Sequence, residues 1–129
     1  MSYDVDQMDG AIAKAKSEVD QFIAELEKPS GSNYSVKAPI SDSGETEHFW
    51  LTDISYKNGV FYGKIGNDPG LVTNVNFGQP WEIKKEDISD WTYIKDKKMY
   101  GNYTMIPLLK TLPAAEAQQY REMRADYEN

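Results

Sequence analysis

The chain has 129 residues, a formal net charge of −7 and no cysteine. That length suits one domain with a real core, and an aromatic content of 12%, with nine Tyr and three Trp, excludes a disordered type. The missing thiols exclude disulfides and thiolate metal sites and permit a reducing compartment, and the acidic balance repels phosphate backbones, which argues against nucleic acid and anionic membranes as partners.

The negative charge sits mostly at the two ends. Residues 1–33 carry seven acids and three lysines, residues 34–112 ten acids and nine lysines, and residues 113–129 four acids and two arginines. Solubility is the plain reading of that pattern. No positively charged apolar leader opens the chain and no apolar run approaches ~18 residues, so a soluble cytoplasmic protein is the expectation.

Taken in chain order, residues 4–28 are expected to form one helix. Asp4 can cap it, with Gln7 three residues on. Val5, Met8, Ile12, Ala15, Val19, Phe22 and Leu26 recur at steps of three and four and make one apolar stripe, and Pro29-Ser30-Gly31 ends it. Docking of this stripe on the chain's own sheet is preferred to a coiled-coil seam, because Ala11 and Ile23 widen it.

Tyr34 to Ile40 reads as a short strand, with Pro39 marking an edge or an end, and Ser41 to Gly44 as a turn. The run Glu47 to Tyr56 reads as one long strand, followed by Asn58-Gly59 and a second strand, Val60 to Ile65. Asn-Gly between apolar runs is a strong hairpin signal, since a type I′ turn needs φ > 0 at both central residues. A two-residue loop sets Lys57 opposite Val60, Tyr56 opposite Phe61, Ser55 opposite Tyr62, Ile54 opposite Gly63, Asp53 opposite Lys64 and Thr52 opposite Ile65. Trp50, Ile54, Tyr56, Phe61 and Ile65 then share one face, with room beside Gly63 for Trp50.

Two turn clusters follow, Gly66 to Gly70 and Phe77 to Pro80, enclosing a brief strand or irregular loop at residues 71–75. Trp81 to Lys84 is a strand and Lys85 to Asp90 a connection. Trp91 to Lys95, a charged turn at Asp96-Lys97, and Met99 to Ile106 form another hairpin, which Pro107 stops. Pro113 can open a final helix, residues 113–128, with Ala117, Tyr120, Met123 and Tyr127 as a modest apolar face. The expected architecture is one α+β domain over residues 1–129. It is a small, strongly twisted antiparallel sheet or partly open barrel, flanked by N-terminal and C-terminal helices.

Val36-Lys37, Glu47-His48-Phe49-Trp50, Gly63, Asn67 with Pro69, Gly78, Ile88 with Asp90-Trp91, and Gly101-Asn102-Tyr103-Thr104 occur in this order. Together they resemble the YegJ-like family of bacterial domains of unknown function, over roughly residues 34–109. The resemblance implies a compact domain and supplies no catalytic residues.

The residues themselves offer few routes to chemistry. His48, the only histidine, is a weak candidate for a general acid or base. Glu47 and Asp90 are the carboxylates that could orient it, but Glu47 points to the opposite strand face. A hydrogen-bonded structural role for His48 is preferred. One His and no Cys cannot make the usual zinc sets, and Asp42, Glu45 and Glu47 lack calcium-loop spacing, so neither metal nor cofactor is expected. Nucleophile-elbow and phosphate-loop signatures are missing. Asp90 and Trp91 are a candidate ligand platform, against the plainer reading that Asp90 caps a turn and Trp91 fills the core. The segment from Asn67 to Gly78 is the better binding candidate, with Asn67, Asp68, Asn74 and Phe77 as its contact residues. A non-catalytic module binding a protein or small molecule is the first reading. The competing readings are an acidic immunity-type inhibitor of a basic protein and an enzyme using His48 with acidic residues.

Overall fold

The computed structural model describes residues 4–127. The N-terminal stripe folds as two helices, α1 (Val5–Ser17) and α2 (Val19–Glu27), rather than one. Asp4 caps α1 as its position suggests, its Oδ1 accepting the N–H of Gln7 at 3.1 Å. The break falls at Glu18 (φ −111°, ψ 11°), whose carboxylate accepts the Tyr103 hydroxyl at 2.6 Å. Val5 stays 55% exposed, whereas Ala15, Val19, Phe22 and Ile23 are buried. The stripe therefore docks from its middle onward, not from its first turn.

Six strands form one open antiparallel sheet: β1 (Ser32–Asp42), β2 (Glu45–Lys57), β3 (Val60–Ile65), β4 (Pro80–Lys84), β5 (Asp90–Lys95) and β6 (Lys98–Gly101). Their order is β4-β3-β2-β1-β5-β6, and with the terminal helices the class is α+β. Three tight turns take positive φ at both central residues, as type I′ requires: Ser43-Gly44 (52°, 83°), Asn58-Gly59 (51°, 82°) and Asp96-Lys97 (51°, 66°). β5 pairs with β1 only as far as Lys37. Pro39 lies past that limit, where its missing N–H costs no ladder bond.

The β2–β3 hairpin begins in the expected register, with Lys57 opposite Val60, Tyr56 opposite Phe61 and Ser55 opposite Tyr62. It then slips by one residue: Thr52 faces Lys64 and Leu51 faces Ile65. Asp53, at φ 53°, is the extra residue of a β-bulge. On one side of it Phe49 and Leu51 point into the core, and on the other Ile54 and Tyr56 do so. Trp50 turns to the opposite face, and the space beside Gly63 is filled by the Ile54 side chain. Asp53 still reaches Lys64, at 3.8 Å, with both side chains largely in water.

The core lies between the sheet and α2. Phe22 is its hub, with ring centroids 5.8 Å from Phe61 and 5.7 Å from Trp91. The Trp91 indole N–H donates to the Ala15 carbonyl at 2.9 Å, which ties the sheet to the end of α1.

Two further boundaries differ from expectation. The strand predicted from Met99 to Ile106 stops at Gly101. Gly101 (φ 71°) and Asn102 (φ 51°) turn the chain into a 3-10 helical segment, Tyr103–Thr111, with Pro107 inside it. The last helix, α3 (Ala114–Met123), is shorter than predicted, and Glu128 lies outside the described residues. Of the two readings of residues 71–75, the irregular loop is the one found.

The geometry ranks two substitutions. Gly59→Val forces a β-branched residue to a φ of 82°, so a loss of about 1–3 kcal/mol is expected. Asp53→Ala removes a solvent-exposed pair and is expected to lose under about 1 kcal/mol. Chemical denaturation of both checks the order, and a more damaging Asp53→Ala would contradict it.

Candidate functional site

The sheet face away from α2 carries a polar row. The register sets Lys37 beside Trp50 and Asp90, and Pro39 beside His48. Asp90 is fully buried there. Its Oδ1 accepts the N–H of Trp91 at 2.9 Å and of Tyr103 at 3.2 Å. Its Oδ2 accepts the N–H of Thr104 at 2.9 Å and the Thr104 hydroxyl at 2.6 Å. The Thr104 hydroxyl oxygen in turn accepts from Lys37 Nζ at 3.0 Å. Asp90 thus caps the start of the 3-10 segment and is the reason the chain leaves β6 where it does. The Lys37 ammonium lies 5.3 Å from the Trp50 ring centroid. Burial lowers its pKa, and the charge of Asp90 opposes that shift.

His48 stands at the border of this row. Its Nδ1 lies 3.0 Å from the hydroxyl of Ser89, which is itself buried. Ser89 donates its N–H to the Lys37 carbonyl at 2.8 Å. Burial, then the nearby Lys37 charge, lowers the His48 pKa, so the neutral imidazole is favoured. The ring is oriented by a hydroxyl and not by a carboxylate. Trp91, next to Asp90, faces α2 and is fully buried, so neither side chain is open to a ligand from solution. Among the described residues, no three His, Cys, Asp or Glu side chains cluster as a metal site would need.

Glu47 points away from His48 and does something the sequence reading missed. Its carboxylate accepts three successive main-chain N–H groups, from Gly70 (2.8 Å), Leu71 (2.7 Å) and Val72 (3.2 Å). Asp42 takes the next, the N–H of Thr73 at 2.9 Å, together with its hydroxyl at 2.7 Å. Asn67 Oδ1 accepts the Trp50 N–H at 2.8 Å, where the hairpin ladder has run out. Asn74 donates its side-chain amide to the Ser41 carbonyl at 3.3 Å. Val72 and Val75 are buried beneath the loop, while Leu71 and Phe77 are 59% and 64% exposed and Asp68 faces water. Asn67 and Asn74 therefore hold the loop, and Phe77 is presented by it. The available signal was a Gly-Leu-Val-Thr run whose N–H groups had no strand to pair with; the acids that take them lie 23 to 31 positions earlier in the chain.

Hydrogen bonds to their charged forms lower the pKa of Glu47, led by Leu71 N–H, and of Asp42, led by the Thr73 hydroxyl. A depressed folded pKa means that the attachment is complete above the usual carboxylate range, about 4, and is lost as pH falls through the depressed values. In an NMR titration the amide resonances of Gly70, Leu71, Val72 and Thr73 are expected to move together below about pH 4, while those of Phe61 and Val36 hold. A flat response of the loop amides over that range would contradict the attachment.

The chain belongs to the family described as "Uncharacterized protein conserved in bacteria (DUF2314)", which it matches over residues 5–126. It is 56% identical over 119 residues to "Uncharacterized protein YegJ" of Escherichia coli (strain K12), a match that covers 92% of this chain and 78% of that protein. It is also 32% identical over 97 residues to "Putative ankyrin repeat protein NMB1133/NMB1171" of Neisseria meningitidis serogroup B, covering 72% of this chain and 36% of that one. No solved structure matches the chain. No helix among the described residues is long and apolar enough to cross a membrane. Many of the residues that carry the family resemblance have structural tasks: Glu47 and Asn67 hold the loop, Phe49 and Trp91 fill the core, and Asp90 with Thr104 forms the buried network.

Proposed function

We propose that the chain is a non-catalytic binding module whose contact surface is the loop between β3 and β4. The observation behind this reading is the pairing of order with exposure. A loop pinned through six of its residues, Asn67 and those from Gly70 to Asn74, presents Leu71 and Phe77 to solvent. Apolar side chains on a preorganised loop lose little further freedom on binding, so more of their burial becomes affinity. The Neisseria relative supports a modular role: the matched region is 36% of that chain, and its name carries ankyrin repeats, an architecture that offers extended binding surfaces. The enzyme reading is less supported, because the His48 ring meets buried Ser89 rather than a carboxylate.

A photo-crosslinking residue at position 77, with a control at the exposed Glu116 of α3, tests the proposal in bacterial cells. A discrete adduct with one other protein is expected at 77 only. Leu71→Ser should remove it, and His48→Ala should leave it intact. Identical products at 77 and 116 would sink the reading. An adduct with a basic protein that survives Leu71→Ser but no longer forms when a lysate is irradiated in high salt would favour the acidic inhibitor instead.

A further inference from the structure

The two edges of the sheet end differently. β6 is covered by the chain itself: the Ala125 N–H donates to the Met99 carbonyl at 2.8 Å, Arg124 bridges Met99 in parallel, and Lys98 Nζ reaches the Glu122 carbonyl at 3.1 Å. β4 has no such cover among the described residues. Two hydrogen bonds fix the phase of its ladder with β3, Ile65 N–H to the Gln79 carbonyl and Lys85 N–H to the Gly59 carbonyl, both at 2.9 Å. Residues 79, 81, 83 and 85 therefore turn their main chain toward β3, and Pro80, Glu82 and Lys84 turn theirs outward. Pro80 has no N–H to leave unpaired. Glu82 and Lys84 each leave one N–H and one C=O on the open edge.

We propose that β4 pairs antiparallel with β4 of a second copy, with Glu82 opposite Lys84 of that copy and Ile83 on the two-fold axis. Three symmetric registers set Glu82 and Lys84 opposite themselves or each other. One sets Glu82 against Glu82 and another Lys84 against Lys84, and like charges directly opposite are destabilising. The first of these also sets Pro80, which has no donor, opposite Lys84. Only the Glu82–Lys84 register pairs every outward N–H and every outward C=O of the two residues, and it alone does so with two opposite-charge pairs. The strand is self-complementary, as an isologous interface requires. Neither Glu82 nor Lys84 is in an ion pair among the described residues. Open hollows of about 420 and 330 Å³ lie along the edge, and Trp81 lines both, leaving space and an aromatic surface for the incoming strand. This surface is separate from the loop that carries Phe77.

Charge reversal separates this interface from a charged edge that merely repels other strands. In sedimentation equilibrium the full chain is expected to show a species of twice its mass. Glu82→Lys and Lys84→Glu should each weaken self-association at least about tenfold. An equimolar mixture of the two variants should form a heterodimer, because lysines at 82 and 84 on one strand then face glutamates on the other. That recovery also shows that both variants are folded. A wild-type chain that stays monomeric at its highest soluble concentration would overturn the proposal. So would a dimer that is indifferent to the single reversals, or a mixture that does not associate.

Discussion

Removing residues 1–30 is expected to leave no soluble fold. α2 buries Val19, Phe22 and Ile23, and each such side chain contributes roughly 1.5–3 kcal/mol before entropy is subtracted. Together they match a large part of the roughly 5–15 kcal/mol that holds a domain. Phe22 is in ring contact with Tyr34, Phe61, Trp91 and Tyr93, at centroid distances of 5.7–6.3 Å, so its loss opens the centre of the core. The deletion also strips the Trp91 indole N–H of the Ala15 carbonyl and leaves that large ring without its cover. Expression of residues 31–129, followed by thermal melting in the near-ultraviolet, checks this. A soluble fragment with a cooperative transition would overturn it.

Asp90→Ala is expected to lose about 3–5 kcal/mol, the range for breaking a buried charged network from one side. Three main-chain N–H groups, of Trp91, Tyr103 and Thr104, lose their acceptor at once. Lys37 keeps its charge in a half-buried position with its balancing carboxylate gone. In urea the midpoint should fall with little change in slope. Lys37→Met in the Asp90→Ala background should return part of the loss, since it removes the charge left without a counterpart. A fall of under about 1 kcal/mol for Asp90→Ala, within the usual range for unremarkable sites, would show that the carboxylate is not what holds the 3-10 segment.

What could be read from the sequence was what neighbouring residues decide. Asn58-Gly59 sets its own turn, because the φ values it needs are ones these residues take cheaply, and the three pairs nearest that turn follow from it. The steps of three and four from Ala15 to Phe22 place a buried helix face without reference to the sheet. The unread parts are decided across distance. Met99 to Ile106 has the composition of a strand, but Asp90, 13 and 14 residues before its partners, draws Tyr103 and Thr104 out of the ladder. Glu47 sits among strand residues, yet its partners lie 23 to 25 positions further on. The break at Glu18 likewise coincides with a contact to Tyr103, 85 positions away. For the candidate site, Asp90 and the loop residues were visible as polar or irregular positions. The side chains that hold them, Lys37, Thr104 and Asp42, came into view only with the register.

The bulge at Asp53 makes β2 a strand read in two frames. Core-facing positions are odd-numbered up to Leu51 and even-numbered from Ile54, and one extra residue reconciles them. Chain length is therefore a constraint here in a way that composition is not. Asp53 is the one residue of β2 that can be lost at no cost to the pattern: without it the alternation runs unbroken from Phe49 to Tyr56, whereas a residue inserted elsewhere in the strand turns one half of it inside out. Length changes in this family should accordingly gather at the β3–β4 loop, whose backbone is held by side chains rather than by a ladder, and within β2 should be accepted at Asp53 and rejected elsewhere.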